Sequence, residues 1–213
     1  MKPILFNGEM VREIFKGRKT QTRRVIKVNN PDEFEAINDC RLSEYGSSVP
    51  CYLLRIKATE ERGIYYPKYD VGDILWVRET WAEGYNPDNI DENGNIPLGY
   101  CYRASGDDIS SEFSNGKWKP SIFMPKAAAR LFLKVTNVRA ERLQEIKGKD
   151  ARAEGIGEPY ACRSESGYEF EMSVQFKELW DSINGKKYPW ESNPWVWVYE
   201  FERTEKPHEN PRR

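Results

Sequence analysis

The sequence predicts an α+β fold in which a small β-barrel carries flanking helices and two long loop insertions. Two segments, 74–81 and 194–203, sort their side chains onto two distinct faces when they are read with the strand period of two. A third segment, 176–183, repeats apolar residues at helical spacing. Residues 28–50 and 83–120 are rich in Asn, Asp, Gly, Pro and Ser, a composition that favours irregular excursions.

The chain has 213 residues, which is enough for one well-filled core, and we predict a single domain over residues 1–203. The insertions at about 28–50 and 83–120 belong to this domain. Apolar residues make up 38% of the chain, charged residues make up 31% and the mean hydropathy is -0.80, so the surface is expected to be heavily charged. Residues 204–213 have a composition that cannot pack, and we predict a disordered tail there.

The N-terminal segment is predicted to form a strand and then a helix. Residues 2–6 form the strand, Asn7 caps the helix, and Gly17 ends it because glycine readily takes the left-handed conformation that closes a helix. The sequence GRKTQTRR then begins as a turn and continues as a strand over 21–26. Four basic side chains meet at this junction: Arg18, Lys19, Arg23 and Arg24.

These four cations repel one another, so the junction needs an anion or a set of carboxylates opposite it. A ligand phosphate is one such partner. Acidic side chains of the same chain, on a solvated surface, are the alternative.

The strand predicted at 74–81 places one carboxylate, Glu79, on an otherwise apolar face. A carboxylate that faces a core needs a cationic partner, and Lys19 and Arg24 are the candidates. Glu79 could therefore hold the basic turn in place.

Further elements follow in the second half of the chain. Pro125 opens a short helical turn before a strand at 131–135. Residues 150–154 form a short helix that Gly155 stops. The final strand presents an aromatic face that we predict to be core, formed by Trp195, Trp197, Tyr199 and Phe201.

Charge and cysteine content limit the classes of partner. Lys and Arg number 33 and Asp and Glu number 34, so affinity for nucleic acid must come from a local patch.

The cysteines form no CxxC pair, and the only histidine, His208, lies in the tail, so we expect no metal, no disulfide and no cofactor. The four cysteines are Cys40, Cys51, Cys101 and Cys162. Because no signal-peptide or membrane-spanning pattern is visible, we expect a cytoplasmic location and no membrane partner.

Three motifs of the chain resemble the ASCH domain family. They are VGDILWV, WVWVYEF and the pattern GxKxxTxR, which consists of Gly17, Lys19, Thr22 and Arg24. The longer segments PILFNGEMVREIFKGRKTQTRR, GDILWVRETW and NPWVWVYEF are similar to uncharacterised ASCH-like proteins of phages and prophages. This resemblance implies a PUA-like β-barrel with a cleft beside the GxKxxTxR turn.

The resemblance implies, first, a protein that binds RNA or a modified nucleobase, nucleoside or nucleotide in that cleft. Aromatic residues such as Trp118 would serve as platforms on which bases stack. The predicted ligand contacts are Arg18, Arg23, Arg24, Trp76, Arg78, Glu79 and Trp81. No residue of the sequence predicts a protein partner.

The alternative is an enzyme. Small bacterial amidohydrolases that resemble this chain remove the acetyl group of acetylcytidine without a metal, using a lysine, a threonine and a glutamate. Matched by motif, these residues are Lys19, Thr22 and Glu154. Thr22 would be the nucleophile and either Glu154 or Lys19 the base. The residues alone do not decide between binding and turnover.

Glu154 has a second, independent argument. A glutamate in the last turn of a helix opposes the helix dipole, at a cost of about 0.3–1 kcal/mol. A lysine partner would offset this cost, whereas in a frayed and exposed turn the cost nearly vanishes. We predict that Lys19, Thr22 and Arg24 converge on one cleft with Glu154 or Glu79.

Overall fold

The structure is a computed structural model that describes residues 1–27, 34–40, 51–56, 62–85, 94, 98–107, 117–157 and 164–207. Its fold is α+β, as predicted. Large parts of the two predicted insertions, together with Cys162, His208 and most of the predicted tail, lie outside the described residues.

The described ranges contain ten strands and three α-helices. The strands are β1 (Lys2–Leu5), β2 (Gln21–Val25), β3 (Phe34–Cys40), β4 (Cys51–Ile56), β5 (Arg62–Tyr65), β6 (Ile74–Arg78), β7 (Trp81–Tyr85), β8 (Leu98–Tyr102), β9 (Phe132–Arg142) and β10 (Trp195–Thr204). The helices are α1 (Gly8–Phe15), α2 (Gly148–Ala153) and α3 (Glu165–Asn184). Strand β3 lies inside the first predicted insertion and was not predicted.

The strands form three sheets. The largest has the order β1-β6-β9-β10-β2, in which β1 pairs with β6 in parallel while β6 with β9 and β10 with β2 are antiparallel. A second sheet has the order β3-β4-β5, and β7 pairs with β8 in a third. The strands of the described residues do not close into a barrel.

The chain divides into two compact units. The first comprises Met1–Gly17, Ile74–Lys134 and Arg203–Arg213, and the second comprises Arg18–Asp73 and Val135–Glu202. The first unit has a buried cluster of apolar side chains: Trp81, Tyr102, Met124, Ala128, Ala129 and Phe132. The second unit buries Val196 and Val198 of β10 against residues of α3, including Met172, Phe176 and Trp180.

Helix α1 begins and ends at the predicted residues. The side chain of Asn7 accepts a hydrogen bond from the amide of Met10 at 2.8 Å, which satisfies one of the free amides of the first turn. Gly17 has a φ of +73°, in the left-handed region that favours glycine. The chain therefore leaves the helix sharply, directly before the basic segment.

The aromatic face of β10 is buried, as predicted. Trp195, Trp197, Tyr199 and Phe201 are 6%, 5%, 1% and 4% exposed. The opposite face is buried as well, because Val196 and Val198 pack in the core of the second unit. Strand β10 is thus covered on both sides over most of its length.

Candidate functional site

A short backbone bridge joins the basic GRKTQTRR segment to the end of α2. Lys19 and Glu154 pair as an antiparallel bridge, and the amide of Thr20 donates to the carbonyl of Ala153 at 2.8 Å. Glu154 caps α2, and Gly155 follows with a φ of +93°. The predicted helix stop at Gly155 is confirmed, and it sets Glu154 beside Lys19.

The ammonium group of Lys19 is surrounded by oxygen acceptors. Its Nζ lies 2.6 Å from Glu154 Oε2 and 2.9 Å from the carbonyl oxygens of Glu154 and Gln21, and none of the side chain is exposed. Burial lowers the pKa of Lys19, and the Glu154 carboxylate opposes this shift. Burial thus favours release of a proton from Lys19, whereas the contact with the Glu154 carboxylate favours its retention.

The Glu154 carboxylate also binds a second buried cation. Its Oε1 accepts a hydrogen bond from Arg23 Nη1 at 3.0 Å, and the two side chains are 4% and 1% exposed. Arg23 also donates to Glu141 from Nε at 3.0 Å and from Nη2 at 2.6 Å. Two cations therefore hold a carboxylate that would otherwise oppose the dipole of α2.

Strand β2 directs its side chains to two faces. The register with β10 places Thr22 opposite Tyr199 and Arg24 opposite Trp197, so these four residues share one face. Thr22 is 3% exposed, and Arg24 is partly exposed. Burial lowers the pKa of Arg24, while the nearby Tyr69, Glu154 and Tyr199 oppose this shift. Thr22 and Arg24 thus have the common orientation that the sequence predicted.

The other face of β2 belongs to a polar network that the sequence analysis missed. Gln21 Nε2 donates to the carbonyl and the carboxylate of Asp150 at 3.0 and 3.1 Å. Arg139 lies 3.0 Å from Glu141, 3.4 Å from Asp150 and in contact with Glu200. The available signal was in β9, where Arg139 and Glu141 flank the buried Ala140 and must point away from it.

The aromatic face of β10 also carries a buried hydroxyl. Tyr199 accepts a hydrogen bond from the amide of Lys68 at 3.0 Å, and its ring meets that of Tyr69 edge to face at 5.1 Å between centroids. Burial raises the pKa of Tyr199 to about 12. The backbone hydrogen bonds from Lys68 and Tyr69 lower the pKa, but their effect is smaller than that of burial.

We expect alkaline pH to destabilise the protein through Tyr199. An unfolded tyrosine has a pKa of about 10 and loses its proton between about pH 10 and 12, whereas the folded protein keeps it. The free energy of unfolding of the wild type should therefore fall across this interval relative to that of Tyr199→Phe. Urea denaturation at a series of pH values measures the difference, and parallel curves for the two proteins would contradict the expectation.

Glu79 lies in the first unit and is bound by Arg130. The carboxylate is 1% exposed and accepts hydrogen bonds from Arg130 Nε and Nη2, both at 2.9 Å. The prediction that a buried Glu79 needs a cation is confirmed, but Lys19 and Arg24 were the wrong candidates. A bidentate guanidinium satisfies both carboxylate oxygens.

The first unit also contains three other predicted ligand contacts. The guanidinium of Arg78 lies 5.4 Å from the ring centre of Trp76, and Trp81 is 3% exposed with Lys119 Nζ 4.6 Å from its ring. Arg78 Nε and Trp81 Nε1 are buried donors without a hydrogen-bond acceptor among the described residues. Such donors are rare in folded proteins, so they are candidates for contact with a ligand or with water.

The structure therefore separates the predicted site residues into two sets. Lys19, Thr22, Arg23, Arg24 and Glu154, with the exposed Arg18, belong to the second unit. Trp76, Arg78, Glu79 and Trp81 belong to the first. The contact between Lys19 and Glu154 makes the second unit the candidate site.

No cluster of three or more His, Cys, Asp or Glu side chains that could hold a metal ion occurs in the described part of the chain. None of the described helices has the length and apolar character needed to cross a membrane. Comparison of the chain with protein-family models, with curated proteins and with solved structures gives no match.

Proposed function

We propose that this chain is an amidohydrolase of PUA-like fold that removes an acyl group from the exocyclic amine of a cytidine-type nucleoside. The contact of 2.6 Å between Lys19 Nζ and Glu154 Oε2 carries the proposal. These residues are 135 positions apart in the chain, and their pairing was expected from the motif resemblance. Thr22 follows Lys19 by three positions on the adjoining strand.

The reaction proceeds through an acyl-enzyme. The hydroxyl of Thr22 attacks the carbonyl carbon of the amide, and its proton passes to the Glu154 carboxylate. The ammonium group of Lys19 stabilises the oxyanion that forms. The protonated Glu154 then gives its proton to the leaving exocyclic amine as the C–N bond breaks, and the carboxylate is restored. Water hydrolyses the threonine ester with Glu154 as the base, which releases the carboxylic acid and restores Thr22.

Arg23 has a supporting role in this scheme. It holds Glu154 Oε1 at 3.0 Å, so the carboxylate is fixed with Oε2 toward Lys19. Arg23 is itself fixed by Glu141, and its guanidinium lies 5.6 Å from the ring centre of Phe176. The acid and base are therefore positioned before substrate binds, which is the arrangement that catalysis needs.

Thr22→Val tests the proposal, because valine keeps the volume and removes the hydroxyl. With acetylcytidine as substrate and cytidine formation followed by absorbance, we expect a loss of at least about 1,000-fold in turnover. Thr22→Ser should retain activity because it keeps a hydroxyl at the same carbon. Thr20→Val is the matched control, since Thr20 belongs to the same segment and is exposed.

The second candidate function is binding of RNA or a modified nucleoside without turnover. It is favoured by the enclosure of Lys19, whose three donors already have acceptors within the chain. In that case the wild type converts none of the acylated nucleosides. Arg24→Ala should then weaken binding of a phosphate-bearing ligand and flatten its salt dependence. If the wild type does turn over acetylcytidine, unchanged turnover in Thr22→Val would exclude the acyl-enzyme scheme.

A further inference from the structure

The first unit contains a basic segment without a single carboxylate. Residues 117–134 carry five cations and no Asp or Glu, in a chain whose net charge is -1. The cations are Lys117, Lys119, Lys126, Arg130 and Lys134. Glu79 binds Arg130 and Glu83 binds Lys119, so five cations are set against these two carboxylates and the segment keeps an excess of positive charge. Such an excess attracts anions, although the whole chain does not.

The segment exposes two large apolar side chains at its tip. Ile122 is 58% exposed and Phe123 is 70% exposed. They lie in a 3-10 turn over Ser121–Phe123, closed by hydrogen bonds from the amide of Phe123 to the carbonyl of Pro120 at 3.0 Å and from Met124 to Ser121 at 3.1 Å. The ring of Phe123 is therefore presented to solvent by an ordered turn.

Both ends of this turn are fixed to the body of the first unit. Before it, the backbone of Lys119 exchanges two hydrogen bonds with that of Trp81, at 2.7 and 3.2 Å. After it, Met124 is 2% exposed, and its sulfur accepts the amide of Glu79 at 3.2 Å. The backbone that carries the exposed ring thus has little conformational freedom to lose when a ligand binds.

Two lysines before the turn, Lys117 and Lys119, are open to solvent. Lys117 is exposed, and Lys119 has a side chain that is 43% exposed. The Lys119 ion pair with Glu83 has an N–O distance of 3.1 Å, and Glu83 is 49% exposed. An ion pair so open to water contributes little, so a phosphate can replace the Glu83 carboxylate at small cost.

We propose that the turn over residues 117–126 is a contact surface for single-stranded nucleic acid. A base stacks on the ring of Phe123, and backbone phosphates pair with Lys117, Lys119 and Lys126. Charge complementarity favours a polyanion, since the segment itself has no Asp or Glu and Glu83, the exposed carboxylate that meets it, is already paired with Lys119. Two apolar side chains on one turn are enough for base stacking but are a small area for insertion into a membrane. The surface does not depend on the activity proposed for the second unit.

The test is fluorescence anisotropy of the whole protein with a labelled single-stranded RNA of about 12 nucleotides, a length within the usual site sizes. Phe123→Ala should weaken binding between about 5-fold and 150-fold, the range for loss of one stacked base. Phe123→Trp should keep the affinity. Phe170→Ala is the matched control, because Phe170 is 71% exposed on α3 but lies between Glu169 and Glu171.

Salt dependence tests the phosphate contacts. Lys117→Gln and Lys126→Gln should each reduce the slope of log affinity against log salt by about 0.7.

Three results would overturn the proposal. They are equal binding by Phe123→Ala and the wild type, equal losses of affinity in Phe123→Ala and Phe170→Ala, and a preference of the protein for duplex over single-stranded RNA. The proposal would also be wrong if the wild type sedimented with anionic phosphatidylserine vesicles and Phe123→Ala did not, while both proteins bound RNA equally well. Phe123→Ala should leave hydrolysis of acetylcytidine unchanged, because Phe123 lies in the first unit and the proposed catalytic residues lie in the second. The two assays therefore fail independently.

Discussion

Glu154→Gln should lower the free energy of unfolding by about 3–5 kcal/mol, the range for breaking a buried ion pair. The substitution keeps the shape of the side chain and removes its charge. Lys19 and Arg23, whose side chains are 0% and 1% exposed, would then be buried cations without the carboxylate between them. Glu141 still compensates Arg23, so most of the loss arises at Lys19. Chemical denaturation followed by tryptophan fluorescence measures it.

Glu191→Gln is the matched control for this prediction. Glu191 and Lys177 are also 2.6 Å apart, but their side chains are 67% and 41% exposed. An exposed ion pair at the same distance contributes little to the free energy of unfolding, because water solvates both charges and screens their attraction. We therefore expect Glu191→Gln to unfold close to the wild type. Equal destabilisation by the two variants would show that burial does not set the strength of the Lys19 pair.

A double variant separates the charge from the packing. In Lys19→Met with Glu154→Gln, the cation and its carboxylate are removed together, and methionine fills much of the volume of the lysine. This protein should be more stable than Glu154→Gln alone, because no unpaired ammonium remains buried. If it is less stable, the loss in Glu154→Gln comes from packing or hydrogen bonding rather than from charge.

Features that depend on a single helix or strand were predictable from neighbouring residues in the sequence. The cap at Asn7, the helix ends at Gly17 and Gly155 and the alternation along β10 depend on a few neighbouring residues, and all were predictable. The α+β fold follows from the same patterns. Helix α3 starts earlier than predicted, at Glu165, because its first two turns carry polar residues without a clear apolar period.

The partners of the buried charges were not predictable from local patterns. Arg130 binds Glu79 across 51 positions, and Glu141 binds Arg23 across 118. Burial of a carboxylate demands a cation, but nothing in the sequence states which of the 33 basic residues supplies it. For Glu154, the helix dipole indicated a lysine partner, and a motif resemblance supplied the correspondence with Lys19. Spacing along the chain would not have selected it.

Trp197→Ala should lower the free energy of unfolding by about 3–5 kcal/mol, the usual cost of removing a large aromatic side chain from a core. Trp197 is 5% exposed and lies on β10 with Trp195 and Tyr199 on the same face. The cavity left by the indole cannot refill easily, because both faces of this strand are packed.

Phe170→Ala gives the reference for the loss of an aromatic ring without burial. Phe170 is 71% exposed, so its replacement should change stability by less than about 0.5 kcal/mol. Urea denaturation should show a lower midpoint for Trp197→Ala with an unchanged slope, because the surface exposed on unfolding stays nearly the same. A loss below about 1 kcal/mol would mean that the aromatic face is not core. The face shared by Trp197, Arg24 and Thr22 would then be open to a stacking ligand.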